Sequence, residues 1–360
     1  MTIHNFSAGP AILPAPVLQH IQAELRDYHS SGMSIMEMSH RGPEYEEVNH
    51  EAETTLLRLL HVQQGYRAIF IQGGATTQFA MLPLNFLPKG RSADYLMTGA
   101  WAEKAFEEAS SLGEARQVAS TKSGGYTRMP YQDEISIDPQ AAYVHITSNE
   151  TIQGTEWHSW PDVGDRPLVA DMSSDILSRP MDAQRFALIY AGAQKNLGPA
   201  GVTVVIIRES FLAQAEKSAP TMLRYATHVK NSSLYNTPPT FGVYTLNLVL
   251  QWIEELGGLE VMQRRNQHKA GLVYAAIDGS RGFYRGHATP ESRSLMNVTF
   301  RLPSEGLEQR FVSEAAEHGM LGLAGHRSVG GIRASIYNAL EPSSAQALAA
   351  FMSEFARRNG

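Results

Sequence analysis

The chain has 360 residues, and 30 Lys and Arg against 36 Asp and Glu give it a formal net charge of −6. It is 43% apolar and contains no cysteine. This length suits about two domains with cores of their own. The missing cysteine excludes disulfides, thiolate-bound zinc, iron–sulfur clusters and a sulfur nucleophile. The negative charge argues against an extended surface for nucleic acid or anionic membranes, which needs dense Lys and Arg.

The first two segments with helical periodicity lie near the N-terminus. Apolar residues recur every three or four positions from Val17 through Ile21 and Leu25 to Tyr28, and again from Val48 to Leu60. This spacing places them on one face of a helix. We therefore predict two amphipathic helices here.

Six short aliphatic runs follow and alternate with helical patterns. They are Ala68 to Ile71, Ala93 to Met97, Ala141 to Ile146, Leu168 to Ala170, Phe186 to Tyr190 and Val202 to Ile207. Continuous apolar runs of this length are typical of strands that are buried on both faces. The predicted fold class is α/β, with a mostly parallel central sheet and helices on both of its faces.

The pattern changes near Leu256. Beyond it come an alternating strand from Met296 to Leu302, a helix from Leu307 to Ala315, and a final helix with Leu348 and Phe355 on one face. These elements predict a smaller α+β domain. We expect a large domain over residues 16–255, and a small domain made of residues 1–15 and 256–360.

Several familiar signals are missing from the chain. No apolar run approaches the roughly 20 residues that a membrane helix needs, and the first residues lack the basic start and apolar stretch of a secretory signal. We therefore expect a cytoplasmic protein. The Gly-x-Gly-x-x-Gly, Walker and Gly-x-Ser-x-Gly motifs are absent. No two histidines lie three to five residues apart, so we expect no metal site.

A lysine and an aspartate stand at the ends of two consecutive predicted strands. Asp171 follows the run from Leu168, and Lys195 lies between the runs that begin at Phe186 and Val202. A lysine in a turn is usually an ordinary surface residue, and Asp171 could simply cap a helix. Together, however, they match the needs of pyridoxal 5'-phosphate (PLP), whose carbonyl binds a lysine and whose ring nitrogen pairs with a carboxylate.

Two further features fit the same cofactor. The run Gly73-Gly74-Ala75-Thr76-Thr77-Gln78 leads from a predicted strand into a helix, where free backbone N–H groups suit a phosphate. Trp101 could stack on a planar ring. A Gly-Gly turn is more often only a turn, and a single tryptophan is more often a core residue. The combination is more specific than any one of these features.

The chain resembles the phosphoserine aminotransferase family, which are class V PLP-dependent aminotransferases of fold type I. The resemblance runs nearly from end to end. The matching motifs are Phe6-Ser-Ala-Gly-Pro, Glu37-Met-Ser-His-Arg-Gly, Asn149-Glu-Thr-Ile-Gln-Gly, Ala170-Asp-Met-Ser-Ser, Tyr190-Ala-Gly-Ala-Gln-Lys-Asn-Leu-Gly-Pro-Ala-Gly, Tyr235-Asn-Thr-Pro-Pro-Thr-Phe and Gly325-His-Arg-Ser-Val-Gly-Gly-Ile-Arg-Ala-Ser.

The resemblance implies a role for each residue of a cofactor site in the large domain. Lys195 would be the Schiff-base lysine and Asp171 the partner of the ring nitrogen, both catalytic. The other implied cofactor contacts are Trp101 on the ring, Thr151 near its phenolic oxygen, Ala75, Thr76 and Gln194 at the phosphate, and Asn236 and Thr237 at the phosphate in the partner subunit. A homodimer with composite sites is therefore implied. Some family members have Gly-Arg at the positions of Ala75-Thr76, so one cationic contact is missing here.

Substrate binding can be argued from charge as well as from the resemblance. A phosphorylated amino acid and glutamate both carry an α-carboxylate and a second acidic group, so two cationic subsites are needed. A planar guanidinium group can bind either the α-carboxylate or the second acidic group. Arginine and histidine side chains are, however, often only surface charges. The resemblance assigns these residues to substrate: Ser7, His40, Arg41, His326, Arg327 and, for the α-carboxylate, Arg333.

The implied reaction transfers the amino group of L-glutamate to 3-phosphohydroxypyruvate, and yields O-phosphoserine and 2-oxoglutarate in serine biosynthesis. Activity on 4-phosphohydroxythreonine, in PLP biosynthesis, is also implied. The alternatives are a class V aminotransferase of the alanine– or serine–glyoxylate type and a non-catalytic PLP-fold protein. A cysteine desulfurase is excluded because the chain has no cysteine.

Overall fold

The structure is a computed structural model that describes residues 2–360. Its helices are α1 (Ala15–Glu24), α2 (Pro43–Leu59), α3 (Gly74–Phe86), α4 (Ala100–Leu112), α5 (Glu209–Leu212), α6 (Tyr225–Lys230), α7 (Thr240–Glu255), α8 (Gly258–Asp278), α9 (Glu305–Glu317) and α10 (Pro342–Asn359). Its strands are β1 (His4–Asn5), β2 (Tyr66–Ile71), β3 (Ser92–Met97), β4 (Glu114–Ser120), β5 (Val144–Thr147), β6 (Asn149–Glu150), β7 (Thr155–Glu156), β8 (Leu168–Asp171), β9 (Phe186–Gly192), β10 (Thr203–Arg208), β11 (Arg285–Gly286), β12 (Asn297–Arg301), β13 (Met320–Leu321) and β14 (Ile332–Ser335).

A seven-stranded sheet forms the centre of the fold, in the order β2-β10-β9-β8-β5-β3-β4. Strand β10 is antiparallel to both of its neighbours, and all the other pairs are parallel. The six predicted strands all belong to this sheet. The predicted α/β class with a mostly parallel sheet is confirmed.

Helices cover both faces of the sheet. Along β2, Ala68 and Phe70 join one hydrophobic cluster, which also contains residues of α2 and α7. Ile69 and Ile71 join a second cluster with residues of α3 and α4. Because successive side chains of a strand point to opposite faces, the two clusters are the two sides of one sheet.

A third cluster gathers the C-terminal elements. The antiparallel sheet β11-β12-β14 packs with α8, α9 and α10 through residues such as Phe300, Phe311 and Phe355. Phe6 belongs to this cluster, and β1 pairs in parallel with β13. The N-terminal residues therefore lie with the C-terminal part of the chain. The division into domains at residues 15/16 and 255/256 stays a prediction, and α8 begins close to its second boundary.

The first predicted helix is shorter than expected. Helix α1 ends at Glu24, and Tyr28 lies in a separate 3-10 turn in which His29 has a φ of 49°. The helix does not reach this turn, because Asp27 has a φ of −151° and a ψ of 85° and lies outside the helical region. Leu18 and Leu25 are 48% and 40% exposed, so they do not belong to a single buried face.

One strand of the sheet was not predicted. Strand β4 lies at the edge of the sheet and pairs only with β3. It lacks the apolar run of a strand buried on both faces. Among the helices of residues 2–360, none combines the length and the apolar character that crossing a bilayer requires.

Candidate active site

Asp171 and Lys195 meet at the carboxyl edge of the central sheet. Asp171 is the last residue of β8, and Lys195 follows the end of its parallel neighbour β9. The ends of parallel strands meet at one edge, where α/β proteins commonly bind ligands. Both residues line a cavity of about 290 Å³. The other residues around this cavity are Ala8, Gly9, Gly74, Ala75, Thr76, Trp101, Thr147, Asn149, Thr151, Ser173, Ser174, Gln194, His326 and Arg333.

The lysine is held in the connection between β9 and β10. The amine Nζ of Lys195 donates a hydrogen bond of 2.6 Å to Thr151 Oγ1. The next residue, Asn196, is buried and donates through Nδ2 to the carbonyl of Ile176 at 3.2 Å. Burial lowers the pKa of Lys195 to about 8, because a low dielectric disfavours the charged amine. About a tenth of the amine is thus unprotonated and nucleophilic at pH 7, far more than for an ordinary lysine.

The carboxylate of Asp171 is also buried, at 4% exposure. One of its oxygens, Oδ1, accepts a hydrogen bond of 2.9 Å from the backbone N–H of Ser173. Burial raises the pKa of Asp171, whereas the hydrogen bonds of Ser173 and the charge of Lys195 lower it. A buried carboxylate of this kind favours a positively charged partner.

The N-terminus of α3 opens onto the same cavity. Gly73 precedes the helix with a φ of 101°, and a Cβ at this position would overlap the side chain of Thr77. Glycine is therefore required here for both backbone and packing reasons. No side chain of the preceding residue caps the helix. The N–H groups of its first turn, at Ala75 and Thr76, provide an anion site.

Trp101 forms another wall of the cavity. It lies in the first turn of α4, and the centre of its indole ring is 5.6 Å from Lys195 Nζ. The indole nitrogen Nε1 is buried and has no hydrogen-bond partner within residues 2–360. Buried donors normally have partners. An unpaired donor beside a cavity therefore points to a bound group.

The donor set of the cavity fits PLP. It combines a buried amine, a buried carboxylate, a helix N-terminus and a flat aromatic ring, which suit the carbonyl, the ring nitrogen, the phosphate and the π-face of this cofactor. The sequence predicts a shared cofactor site for five residues, and all five line the same cavity. They are Lys195, Asp171, Ala75, Thr76 and Trp101. Gln194 and Thr151 line it as well.

Two basic side chains, Arg333 and His326, reach this cavity from the C-terminal part of the chain. Arg333 lies on β14, and its Nη1 is 3.5 Å from the carbonyl of Thr151. Burial and the charges of Arg333 and Arg327 lower the pKa of His326. Both Arg333 and His326 also line a second cavity of about 290 Å³. They form the boundary between the two spaces.

Six predicted site residues do not line the cavity of Lys195. Arg327 is exposed in an outer cleft beside Arg301 and Glu308. Arg41, which follows His40, lines a separate cavity of about 740 Å³ together with Arg67 and Lys230. The remaining three are Ser7, Asn236 and Thr237, of which Ser7 directly precedes the lining residues Ala8 and Gly9. A single chain therefore does not gather the full predicted set.

Several lining residues were missed by sequence reasoning. Ser173 and Ser174 follow Asp171 directly, and Asn149 lies two residues before Thr151, so the quoted motifs contained them. Asn149 Nδ2 donates to Ser174 Oγ at 2.8 Å. Glu150, between Asn149 and Thr151, was missed because its contacts are with a helix remote in sequence. Residues 2–360 contain no group of three or more His, Asp or Glu placed to hold a metal ion.

Comparison with known proteins gives the same class of protein as the geometry. The family model "Aminotransferase class-V" matches residues 3–348. A phosphoserine aminotransferase of Herpetosiphon aurantiacus is 58% identical over 360 residues, which cover 100% of both chains. The structure of a phosphoserine aminotransferase from Bacillus circulans subsp. alkalophilus superposes with a TM-score of 0.98 at 57% identity, and covers 100% of this chain and 99% of that one.

A more distant relative carries the cofactor. The PLP-bound phosphoserine aminotransferase of Trichomonas vaginalis is 40% identical, has a TM-score of 0.93 and covers 98% of this chain and 99% of that one. The fold and the cavity thus define a PLP-dependent transaminase. The chain belongs to the class-V aminotransferase family and, within it, to the phosphoserine aminotransferases.

Proposed function

We propose that the protein transfers the amino group of L-glutamate to 3-phosphohydroxypyruvate, and produces O-phosphoserine and 2-oxoglutarate in a reversible step of serine biosynthesis. The observation that carries this proposal is the half-buried Lys195 beside the buried Asp171, in a cavity that Arg333 and His326 also line. The similar proteins are named phosphoserine aminotransferases, which supports phosphoserine as one of the substrates. Location in the cytoplasm stays a prediction.

PLP, when it is bound, supplies a carbonyl that condenses with amines and a ring that accepts electrons from the substrate Cα. The residues of the chain provide the rest. Asp171 keeps a proton on the ring nitrogen, because the buried carboxylate favours a cation beside it. Lys195 Nζ would take the proton from the substrate Cα and pass it to C4′ of the cofactor, and in the second half-reaction it would move a proton in the reverse direction. The first turn of α3 holds the phosphate, and Trp101 excludes water from one side of the ring.

Every proposed substrate has an α-carboxylate and a second acidic group. Arg333 suits the α-carboxylate, since it reaches the cavity, contacts the carbonyl of Thr151 and retains an unpaired buried Nε. A planar guanidinium can bind a carboxylate through two hydrogen bonds. His326 lies beside it and suits the second acidic group.

We assign four of the remaining predicted contacts to a second copy of the chain. We propose a homodimer in which Asn236, Thr237, His40 and Arg41 serve the cavity of the other subunit. Their own chain leaves them outside its cavity. Two large apolar side chains close to them in sequence, Met36 and Tyr235, are 51% and 46% exposed and would be covered by such a second subunit.

Complementation tests this arrangement. Lys195→Ala and Arg41→Gln are each expected to be nearly inactive alone. In a refolded mixture, each hybrid dimer has one site with both residues intact, so about a quarter of the parental activity should return. No recovery in a mixture that demonstrably contains hybrid dimers would contradict the composite site. Lys195→Ala mixed with Asp171→Asn is the matched control, because both residues serve the same site and no recovery is expected.

The substrate assignment is tested by the visible absorbance of the loaded protein. O-phosphoserine and glutamate should remove the absorbance of lysine-bound cofactor at low concentration, whereas serine and alanine should not. A protein that responds equally to alanine and O-phosphoserine would instead support the glyoxylate-type alternative. A protein that binds PLP and responds to no amino acid would support the non-catalytic alternative.

We also propose activity on 4-phosphohydroxythreonine, which has the same charged groups on a longer carbon chain. The second cavity, beyond His326 and Arg333, offers space for a longer substrate. Turnover of 4-phosphohydroxythreonine in a steady-state assay is expected. Its absence at concentrations that saturate with O-phosphoserine would remove this part of the proposal.

A further inference from the structure

Glu150 is a fully buried acid beside the cofactor cavity, and none of the roles described so far uses it. It lies on β6, next to Thr151, and its exposure is 0%. Isolated buried carboxylates are costly, so their contacts normally explain them. The contacts of Glu150 lead to the N-terminus of α4, the helix that carries Trp101.

The carboxylate of Glu150 accepts hydrogen bonds from N–H groups in the first turn of this helix. Oε2 accepts from the backbone N–H of Trp101 at 3.1 Å, and Oε1 accepts from the N–H of Ala102 at 3.1 Å and from Thr98 Oγ1 at 3.2 Å. Gln153 Oε1 lies 3.4 Å from the N–H of Ala100. The start of α4 is therefore satisfied by side chains from a separate strand and turn.

The two helices that begin at the cavity differ in this respect. The first turn of α3 has no side-chain cap. In α4, by contrast, Glu150 occupies the position that an anionic ligand would take. A negative charge at a helix N-terminus is favourable. Of these two helix N-termini, α3 is left open as the anion site, while α4 supplies only its indole.

The local sequence is shaped around this carboxylate. A Cβ on Gly99 would overlap the carboxylate of Glu150 and the side-chain oxygen of Gln153. Gly99 has an extended backbone, with a φ of 167°, so a larger residue is excluded by space and not by backbone strain. Burial, foremost, raises the pKa of Glu150 to about 7, against the hydrogen bonds from Ala102, Trp101 and Thr98.

We propose that Glu150 is a positioning residue that fixes the indole of Trp101 against the cofactor by holding the first turn of α4. One strand segment then sets two sides of the site, because Glu150 holds the helix of Trp101 and its neighbour Thr151 contacts Lys195. This inference rests on the proposed position of the cofactor between Trp101 and Lys195.

The test measures how PLP quenches the fluorescence of Trp101 in the apo protein, with the Trp101→Phe variant subtracted to isolate this residue. Glu150→Gln keeps the size of the side chain but replaces one acceptor oxygen with a donor that faces the N–H groups. We expect the quenching of Trp101 by PLP to fall, and the dissociation constant of PLP to rise about tenfold through the loss of a buried hydrogen bond.

Gly99→Ala is the second variant, because it displaces the same carboxylate without changing its charge. Gly99→Ala should also reduce the quenching of Trp101 by PLP. If Glu150→Gln does not fold, Gly99→Ala tests the positioning role of Glu150. Asp94→Asn is the matched control. Asp94, on β3, is a fully buried carboxylate with a raised pKa, and it accepts a hydrogen bond from the backbone N–H of Asp138 and not from the first turn of α4. Its loss should leave the quenching and the affinity for PLP unchanged.

Two negative results can be distinguished. If the parent shows no quenching that depends on Trp101, the proposed cofactor position is wrong, and the inference about Glu150 is overturned with it. If the parent shows the quenching but both Glu150→Gln and Gly99→Ala retain it with parental affinity, only the positioning role of Glu150 is overturned.

Discussion

The amine of Lys195 and the hydroxyl of Thr151 form a hydrogen bond of 2.6 Å across the candidate site. The carbonyl of the same Thr151 lies 3.5 Å from Arg333 Nη1. One residue therefore contacts both the proposed Schiff-base lysine and the arginine proposed for the substrate carboxylate. Its backbone neighbour Glu150 holds the start of α4. The turn after β6 connects the main parts of the site.

Loss of the Thr151 hydroxyl should impair the reaction. Thr151→Val has the same shape and removes the acceptor for Lys195 Nζ, so we expect kcat/KM to fall about tenfold, in line with one hydrogen bond to a charged group. Thr155→Val is the control, because Thr155 Oγ1 is buried and has no hydrogen-bond partner within residues 2–360. Equal activities in the two variants would show that the contact has no role.

The reactivity of Lys195 should depend on pH with a midpoint well below that of an ordinary lysine. Burial lowers its pKa to about 8, so about a tenth of the amine is unprotonated at pH 7 and about nine tenths at pH 9. The rate at which the apo protein captures PLP, followed by visible absorbance, should rise through this range. N-acetyl-lysine amide in the same buffers controls for titration of PLP itself. A midpoint that coincides with this free amine would contradict the burial argument.

Arg333 and Arg327 should affect different substrates. Arg333→Gln removes the proposed partner of the α-carboxylate, which every substrate has, so the KM of all of them should rise about a hundredfold. Arg327→Gln should raise the KM for O-phosphoserine and leave the slow reaction of alanine unchanged, because alanine has no second acidic group. Stopped-flow absorbance with each amino acid provides the measurement. The assignment fails if Arg327→Gln impairs alanine and O-phosphoserine alike.

A second buried lysine should make the stability of the protein depend on pH. Lys269 is fully buried and donates to the carbonyls of Ile336 and Tyr337 at 3.0 and 2.6 Å. Burial lowers its pKa to about 7. Between this value and the higher pKa of the unfolded chain, the unfolded state binds more protons, so this contribution to stability increases as pH rises.

Lys269→Met isolates this effect. From pH 7 to pH 9 the parent should gain stability relative to the variant by up to about 1.4 kcal/mol per pH unit. Unfolding midpoints of both proteins at each pH provide the difference, in which the other titrating groups cancel. If the difference in stability stays constant over this pH range, the pKa of Lys269 is not lowered in the folded state.

The sequence was most informative where burial leaves a pattern. Strands such as β8 and β9 are buried along their whole length, so they appear as apolar runs, and their ends located Asp171 and Lys195. Strand β4 was not predicted, because a strand at the edge of a sheet does not need a continuous apolar run. The predicted first helix extends too far along the chain. The apolar Leu25 and Tyr28 continue the helical spacing of three to four residues, although α1 ends at Glu24.

The parts of the site that were not predicted depend on contacts between distant segments. Glu150 meets the N–H groups of α4 only because β6 lies beside the start of that helix. No local pattern marks such a contact. Arg41 and Asn236 do not line the cavity of their own chain, and the site that we propose for them belongs to a second copy. Residue order within one chain cannot display that geometry.

The most direct test of the account is to find which lysine binds the cofactor. Reduction of the PLP-loaded protein with borohydride fixes the cofactor to its lysine, and the masses of the proteolytic peptides then identify the residue. We expect the cofactor to modify Lys195 alone, and we expect no modified peptide from the Lys195→Arg variant. Modification of another lysine, such as the buried Lys269 or Lys104 beside Trp101, with Lys195 unmodified would contradict it.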